Sequence, residues 1–341
     1  MKTIILKEPG KFQTIERAEP EVVGSGEAIV KIRKIGICGT DYHAFRGNQP
    51  FFSYPRVLGH ELGAEVVALG EKQTESTLMI GDRVSVEPYL NCNTCQACRR
   101  GYSNCCERLN VLGVHTDGGM TEYLKVPIHK LHKSGVLSYD QLALVEMLSI
   151  GLHATNRATV NAGDLVLVVG AGPIGISVTQ FCRLRGATVV VADRFESRLN
   201  FINRHGIADQ SIKVEKTLTP EHLREVFDGD LPTLIFDATG NRNSMLSTFN
   251  LIAHGGKIVF VGLFQGEVEF QDPEFHKREV TLLSSRNSLP EDFSEIVSLM
   301  EAGRIDTTSW ISHRTDFDHL SEEFPTFMRP DQELIKAIVD V

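Results

Sequence analysis

Four cysteines stand close together at a spacing that is typical of a metal-binding loop. Cys92, Cys95, Cys98 and Cys106 are separated by two, two and seven residues, and Cys105 is adjacent to the last of them. Four thiolates at this spacing can surround Zn²⁺ as a tetrahedron and leave no position for a substrate. Two disulfides or a set of redox thiols are the alternatives, but the chain starts without the apolar run of an export signal. We therefore predict a structural zinc at these four residues, with Cys105 able in principle to replace Cys106.

A glycine pattern further along the chain predicts a dinucleotide-binding loop. Residues 170–175 read Gly-Ala-Gly-Pro-Ile-Gly and directly follow the apolar run 165–169. In such a loop the first glycine permits a tight turn, the second lets the backbone approach a pyrophosphate, and the third lets helix and strand pack closely. The proline suits the first turn of the helix, whose free N–H groups face the phosphates. The loop residues that we expect at the cofactor are Gly170, Gly172, Pro173, Ile174 and Gly175.

An acidic residue after the loop indicates which dinucleotide is bound. Asp193 ends the apolar run 188–192, at the position where the ribose-binding residue of such folds stands. Its carboxylate would accept hydrogen bonds from the adenosine ribose and repel a 2′-phosphate. This favours NAD over NADP, although the neighbouring Arg194 is a cation that a phosphate could use. A glycine turn of purely structural use is the alternative interpretation of the loop.

The apolar pattern predicts the elements that position these residues. The first part of the chain is β-rich, with short runs at 22–23, 28–32 and 65–69. Residues 139–158 have helical spacing, and apolar runs then alternate with helical patterns. The runs that suit buried parallel strands are 165–169, 188–192, 233–237 and 257–261. The helical patterns are 174–185, 196–205, 220–227 and 243–253. This alternation predicts an α/β fold with a doubly wound parallel sheet.

Composition narrows the class of protein. The chain has 341 residues, enough for about two domains, and its 42% hydrophobic and 23% charged residues are values of a globular protein. Its formal net charge of −9 and the lack of a long basic run argue against a nucleic-acid partner. Residues 165–182 carry no charge, but their glycines and proline favour a strand, a turn and a helix over a membrane span. We expect a cytoplasmic protein with no membrane partner.

A second set of residues that can bind a metal lies nearer the N-terminus. Cys38 belongs to the segment GICGTDYH, and His60 and Glu61 belong to the segment GHE. Cysteine, histidine and glutamate all bind zinc, but Cys38 and His60 are 22 residues apart, so they do not form a local loop site. Taken alone, these residues fit a zinc site, and they fit equally well a core histidine and a buried cysteine that bind no metal.

The order of these motifs resembles the zinc-containing medium-chain alcohol and polyol dehydrogenases. GICGTDYH, GHE, the four-cysteine loop and GAGPIG followed by Asp193 occur in that order. Three further motifs agree, namely DGGMTEY at 117–123, DATG at 237–240 and VG at 261–262. The resemblance extends along nearly the whole chain, and so many ordered motifs do not agree by chance.

The resemblance implies two nested domains. A GroES-like, β-rich catalytic domain would comprise residues 1–147 and 281–341, and a Rossmann NAD-binding domain would comprise residues 148–280. Members of the family form dimers or tetramers, so we expect a homodimer or homotetramer that acts on a small-molecule substrate.

The resemblance also implies a catalytic zinc, the second zinc of the chain, bound by Cys38 and His60. In the sorbitol-dehydrogenase branch a glutamate after the histidine, here Glu61, belongs to the site. A second glutamate, here Glu146, lies at the zinc as a ligand or through a water, and Met147 replaces the proline that follows it in the family. Alcohol-specific members carry a cysteine in place of that glutamate, so its absence favours a polyol or sugar-type substrate over ethanol. The residues that the resemblance adds at NAD are Arg198, Thr239, Gly240, Val261 and Gly262.

Proton transfer is a further property that the resemblance implies. The Thr40 hydroxyl would take the proton of the substrate alcohol first and pass it through a ribose hydroxyl to His43, which meets solvent and titrates in a useful range. Asp41 would orient the site from behind the metal ligands. The alternative for Thr40 and Asp41 is a turn with local side-chain hydrogen bonds.

Three more segments resemble a sugar-acid branch of the family whose best-known member oxidises L-galactonate at C5. They are residues 47–60, 272–279 and 285–287. A carboxylate substrate needs a cation, and Arg286, which resembles a pocket arginine of polyol dehydrogenases, could bind it bidentately. Related branches oxidise sorbitol or L-iditol, L-threonine or galactitol-1-phosphate, and these substrates stay open. Other classes fit less well, since a zinc-free reductase lacks the metal ligands and a non-enzymatic zinc module lacks the NAD loop.

Overall fold

The computed structural model describes residues 1–21, 23–50, 52–71, 77–329 and 333–341. Val22 and Phe51, which belong to two segments interpreted above, lie outside the described residues. The chain divides into two compact units, Met1–Met147 with Leu289–Val341 and Leu148–Ser288. Each unit has its own large sheet and its own buried apolar core, and the first unit also has two two-stranded sheets.

Strands and short helices make up both units. The strands are β1 (Lys2–Glu8), β2 (Lys11–Glu16), β3 (Glu27–Gly36), β4 (Glu61–Leu69), β5 (Arg83–Val86), β6 (Tyr89–Leu90), β7 (Asn110–Val111), β8 (Tyr123–Pro127), β9 (Leu131–Lys133), β10 (Leu165–Val169), β11 (Thr188–Asp193), β12 (Gln210–Lys213), β13 (Leu234–Asp237), β14 (Lys257–Phe260), β15 (Thr281–Ser284), β16 (Ile311–Asp316) and β17 (Lys336–Asp340). The α-helices are α1 (Gly39–Phe45), α2 (Gln96–Arg99), α3 (Tyr139–Ala143), α4 (Val145–Ala158), α5 (Pro173–Leu184), α6 (Glu196–Arg204), α7 (Pro220–Val226), α8 (Arg242–Leu251), α9 (Asp272–Lys277), α10 (Pro290–Glu301) and α11 (Leu320–Glu323). Within the described ranges no helix has the length and apolar character that a bilayer crossing requires.

The first unit is built on a seven-stranded sheet in the order β16-β17-β3-β4-β5-β9, with β8 also paired to β3. Strand β3 is antiparallel to β4, and this register places Gly36 opposite Glu61. The C-terminal strand β17 pairs antiparallel with the same end of β3 and places Ile338 opposite Gly36. Three strands that are distant in sequence therefore meet at the carboxyl end of β3.

The second unit contains a six-stranded parallel sheet in the order β12-β11-β10-β13-β14-β15. Its central strands are continuous apolar runs because helices cover both faces of such a sheet. In β11, for example, all five residues after Thr188 are buried. Strands β11 and β12 lie on one side of β10, and β13, β14 and β15 lie on the other, so the strand order reverses at β10. Ligands bind at such a switch point, outside the carboxyl ends of the strands.

Several details differ from the pattern-based expectations. The predicted helix 139–158 is two helices, because the chain turns at Leu144, whose N–H bonds to the carbonyl of Gln141. Strands β12 and β15 were not predicted, since each has only four residues and neither is fully buried. The second unit ends at Ser288 rather than at residue 280, because β15 pairs with β14 as the sixth parallel strand.

Candidate active site

The four predicted cysteines of the zinc loop lie together in space. Their sulfur atoms are all within 4.8 Å of one another, and Cys95 Sγ lies 3.4 Å from Cys98 Sγ and 3.9 Å from Cys106 Sγ. A zinc–sulfur bond of about 2.3 Å gives sulfur–sulfur edges of about 3.8 Å in a tetrahedron. The loop therefore has the dimensions of a structural zinc site. Cys105 is exposed and outside this group.

Backbone and side-chain donors stabilise thiolates in this loop. The N–H of Cys92 donates to Cys106 Sγ at 3.3 Å, and the N–H of Cys95 donates to Cys92 Sγ at 3.4 Å. Hydrogen bonds, first of all from the hydroxyl of Thr94, lower the pKa of Cys92 to about 5. Burial raises the pKa of Cys98 to about 11, so the Cys98 thiol must lose a proton when a metal binds.

A second group of ligand atoms forms where β3, α1 and β4 meet. Atoms of Cys38, His60 and Glu61 lie within 4.8 Å of one another, and His60 and Glu61 are buried. Cys38 caps α1, and Glu61 begins β4 opposite Gly36. A Cβ at Gly36 would lie 2.0 Å from Glu61 Oε2, so only glycine leaves room for this carboxylate. The antiparallel register thus joins residues that sequence spacing could not connect.

Asp41 lies behind these ligands, in the first turn of α1. Its Oδ2 accepts a hydrogen bond from the Cys38 N–H at 2.9 Å, and its Oδ1 lies 3.8 Å from His60 Nδ1. Asp41 Oδ1 and His60 Nδ1 are both buried, and neither has a hydrogen-bond partner among the residues that the structure describes. Burial raises the pKa of Asp41, whereas for His60 the nearby Cys38 and Asp41 outweigh burial and raise the pKa.

The glycine loop lies at the carboxyl end of β10. Gly170 has a φ of +103°, which favours glycine, and a Cβ at Gly175 would lie 1.7 Å from the Gly170 carbonyl oxygen. Gly172 caps α5 and Pro173 occupies its first turn, as the pattern predicts. The free N–H groups of this helix end are thus available to a pyrophosphate.

Asp193 closes the same site from the end of β11. Its Oδ2 accepts from the Ala171 N–H at 2.6 Å, its Oδ1 accepts from the Phe195 N–H at 2.8 Å, and Arg198 Nη1 lies 3.7 Å away. A cavity of about 620 Å³ opens here within the second unit. Its lining includes Gly170, Gly172, Asp193, Arg198 and Thr239.

The strand ends next to the loop also converge. Val261 and Gly262 both donate their N–H groups to the Asp237 carbonyl at 2.9 Å. A Cβ at Gly262 would lie 2.3 Å from the Gly240 nitrogen, so two backbone segments meet here without side chains between them. This brings the four predicted residues of the DATG and VG motifs to the switch point of the sheet.

Comparison with known proteins identifies the family. Residues 24–136 match the alcohol dehydrogenase GroES-like domain, and residues 173–302 match the zinc-binding dehydrogenase domain. The L-galactonate-5-dehydrogenase of Escherichia coli strain K12 is 43% identical over 342 residues, which cover 99% of this chain and 98% of that protein. The chain belongs to the zinc-containing medium-chain alcohol dehydrogenase family.

Two further relatives of this dehydrogenase support the same family. A sorbitol dehydrogenase of Halalkalibacterium halodurans is 30% identical over 309 residues, which cover 89% of each chain. The crystal structure of RspB, an alcohol dehydrogenase of Escherichia coli CFT073 complexed with NADH, is 32% identical with a TM-score of 0.92 over 100% of this chain and 99% of that one. The predicted family, the GroES-like and Rossmann fold, the oxidoreductase class acting on CH–OH, and zinc and NAD as cofactors are confirmed.

The dehydrogenase has a buried lysine at the Cys38 group that the motifs did not reveal. Lys336 Nζ donates to both carboxylate oxygens of Glu61 at 2.7 Å and to the Ile37 carbonyl at 3.1 Å. Burial would lower the pKa of Lys336, but the Glu61 carboxylate outweighs it and the pKa is raised. In the sequence, Lys336 stands out only as a single cation beside the apolar run of β17. The neighbouring residues do not indicate that its partner is Glu61.

The charges around this group fit a divalent cation. The thiol of Cys38 and the carboxyls of Asp41, Glu61 and Glu146 lie together, opposed by the ammonium of Lys336. So many buried acids beside one ammonium would carry an excess of negative charge once ionised, which a metal ion offsets. Thiolate, imidazole and carboxylate are also the donors that zinc prefers.

Glu146 lies in the first turn of α4 and is buried, but it is outside the group of three ligand atoms. Its Oε1 accepts a hydrogen bond from the hydroxyl of Tyr89, a second residue that the motifs did not reveal. Burial raises the pKa of Glu146.

Thr40 and His43 lie three residues apart on α1 and therefore on one face of it. His43 is exposed, and its Nδ1 lies 3.0 Å from Asn48 Oδ1. Arg286 belongs to the second unit, where it follows β15 and is exposed. The roles of these three residues stay predictions.

Proposed function

We propose that this dehydrogenase oxidises a secondary alcohol of a sugar acid with NAD, with L-galactonate at C5 as the first candidate. The observation that carries this substrate is the 43% identity to L-galactonate-5-dehydrogenase over 99% of the chain. A sorbitol or L-iditol type of polyol oxidation is the second candidate, because the sorbitol dehydrogenase also aligns along most of the chain. Oxidation of L-threonine or galactitol-1-phosphate is less supported. The expected cytoplasmic location stays a prediction.

Two groups of residues would bind the two zinc ions, and two further residues would support the catalytic site. Cys38, His60 and Glu61 would hold the catalytic zinc, and the four-cysteine loop would hold the structural one. Zinc, when bound, supplies a Lewis acid that lowers the pKa of an alcohol towards neutrality. Asp41 supports the imidazole of His60 from behind, and Lys336 compensates the charge of Glu61.

A proton and a hydride leave the substrate in this reaction. The Thr40 hydroxyl would accept the alcohol proton, and His43, which is exposed, would release it to solvent. The hydride would pass from the substrate carbon to C4 of the nicotinamide. Asp193 would hold the adenosine ribose, and the N-terminus of α5 would hold the pyrophosphate.

The substrate assignment is tested by NAD reduction with L-galactonate, other aldonates, polyols and amino alcohols. We expect the highest kcat/KM with an aldonate. Arg286→Ala should lower kcat/KM for L-galactonate at least tenfold more than for sorbitol, because a lost charged hydrogen bond is worth about 1.5–3 kcal/mol. Arg204→Ala, an exposed arginine at the end of α6, is the matched control. Equal losses for both substrates would exclude the carboxylate role of Arg286.

We also propose that the chain forms a homodimer or homotetramer through the β15 edge of the parallel sheet. Among the described residues of the second unit, four large apolar side chains are exposed, and three of them lie between residues 263 and 270, namely Leu263 at 68%, Phe270 at 42% and Val268 at 36%. These three residues lie in the segment between β14 and α9, and β15, the neighbour of β14, is an edge strand of the sheet. Exposed apolar side chains and an open strand edge both favour a second copy as the partner. Leu263→Glu should lower the mass measured by light scattering, whereas Val136→Glu, at a 71% exposed site of the first unit, should not. A monomeric wild-type enzyme would contradict the proposal.

A further inference from the structure

Two buried glutamates lie at the Cys38 group, and each is held by a different partner. Glu61 is bound by Lys336, and an oxygen of Glu61 lies within 4.8 Å of the ligand atoms of Cys38 and His60. Glu146 is bound by the hydroxyl of Tyr89 and does not belong to that group. Either carboxylate is chemically able to bind zinc. The two glutamates therefore differ in their hydrogen-bond partners, which are Lys336 for Glu61 and Tyr89 for Glu146.

Packing and backbone pairing hold Tyr89 in addition to the bond made by its hydroxyl. The side chain is buried, with 3% exposure, and its ring meets the ring of Phe293 edge-on at 6.3 Å. Phe293 is stacked in turn on His132 at 4.9 Å. The backbone of Tyr89 pairs with Val111 in the short ladder of β6 and β7. The hydroxyl is thus presented to Glu146 from a buried residue that is held by ring packing and by a backbone ladder.

The same ladder leads directly into the zinc loop. Cys92 follows β6 after one residue, and its N–H donates to Cys106 Sγ at 3.3 Å. A hydroxyl that donates to a buried carboxylate makes a charge-assisted bond, which is stronger than a neutral one. The zinc loop, β6 and Tyr89 therefore form a continuous support for Glu146.

We propose that Tyr89 is a positioning residue of the catalytic zinc site. Its hydroxyl holds the Glu146 carboxylate outside the group of Cys38, His60 and Glu61, so that Glu146 does not become a fourth protein ligand. Catalytic zinc sites have three protein ligands and keep the fourth position for water or substrate, whereas four protein ligands close the site. The proposal rests on the proposed function of the Cys38 group as a catalytic zinc site.

The test is Tyr89→Phe with Co²⁺ in place of the catalytic zinc. The ring and its contact with Phe293 stay, and the bond to Glu146 is lost. We expect a changed visible spectrum of Co²⁺, because a carboxylate would join its ligands, and a kcat at least tenfold lower with an unchanged affinity for NAD. Adding Glu146→Gln to Tyr89→Phe should return the spectrum towards that of the wild type, since an amide is a weaker ligand.

Tyr139→Phe is the matched control. Its hydroxyl also donates to a carboxylate, Glu65 Oε2 at 3.3 Å, and Glu65 lies four residues beyond Glu61 on β4, about 13 Å away. This variant should leave the Co²⁺ spectrum and kcat as they are.

Two results would overturn the role of Tyr89. One is an unchanged Co²⁺ spectrum in Tyr89→Phe with two metal ions still bound per chain. The other is an equal change in Tyr139→Phe. The spectrum needs no substrate, so it decides the role of Tyr89 even if none of the tested alcohols is oxidised, a result that would refute only the proposed function.

Discussion

Lys336→Met should destabilise the metal-free enzyme much more than the zinc-loaded enzyme. Lys336 is 2% exposed and its Nζ lies 2.7 Å from both oxygens of Glu61, so the pair is removed from water. Losing one partner of such a pair leaves a buried, uncompensated charge and costs about 3–5 kcal/mol. A zinc ion bound by Glu61 would compensate that charge. The cost in the loaded enzyme should therefore fall to about 1 kcal/mol, the value of the lost hydrogen bond to the Ile37 carbonyl.

Thermal unfolding of chelated and zinc-loaded protein measures the difference. For a unit of this size a loss of about 3 kcal/mol lowers Tm by roughly 6–12 °C, and about 1 kcal/mol lowers it by roughly 2–4 °C. The matched control is Lys130→Met. Lys130 is also 2% exposed and is paired with Glu87, and Glu87 does not belong to the group of ligand atoms formed by Cys38, His60 and Glu61. Its substitution should cost the same with and without zinc.

Two results would refute this reasoning. If Lys336→Met lowered Tm equally in the chelated and loaded forms, zinc would not be compensating Glu61. If it lowered Tm by less than 2 °C in the chelated form, the buried pair would not contribute the stability that its geometry implies.

Three further predictions concern other parts of the molecule. Cys98→Ser should reduce the zinc content from two ions to one per chain, measured by mass spectrometry of the metal, because three thiolates no longer close the tetrahedron; retention of both ions would contradict it. Asn48→Ala should lower kcat about two- to tenfold, since Asn48 Oδ1 orients the His43 ring at 3.0 Å, and an unchanged kcat would exclude that role. Hydrogen bonds from Arg33 lower the pKa of Glu65, so this pair contributes stability that is present above pH of about 4.3 and is lost as pH falls through the lowered pKa. In urea denaturation, Glu65→Gln should therefore cost less than about 1 kcal/mol at pH 6 and nothing near pH 2, and an equal cost at both pH values would count against it.

Short-range patterns in the sequence determine much of this protein. The four cysteines and the glycine loop lie within fifteen and six residues of sequence, so chain connectivity alone brings their members together. The predicted strand 165–169 agrees with β10 because a fully buried parallel strand needs a continuous apolar run. The end of β11 at Asp193 was predictable for the same reason. Short, half-exposed strands such as β12 carry no such signal.

The tertiary structure alone decided how the candidate catalytic group is assembled. Cys38 meets Glu61 through the register of β3 and β4, and Lys336 reaches Glu61 from a strand 275 residues further along the chain. Tyr89 and Glu146 are 57 residues apart and meet through packing. Hydrophobic periodicity specifies which face of a strand is buried, but not which strand lies beside it. The motifs therefore determined the family and its ligands, whereas strand pairing brought Lys336 to Glu61 and side-chain packing brought Tyr89 to Glu146.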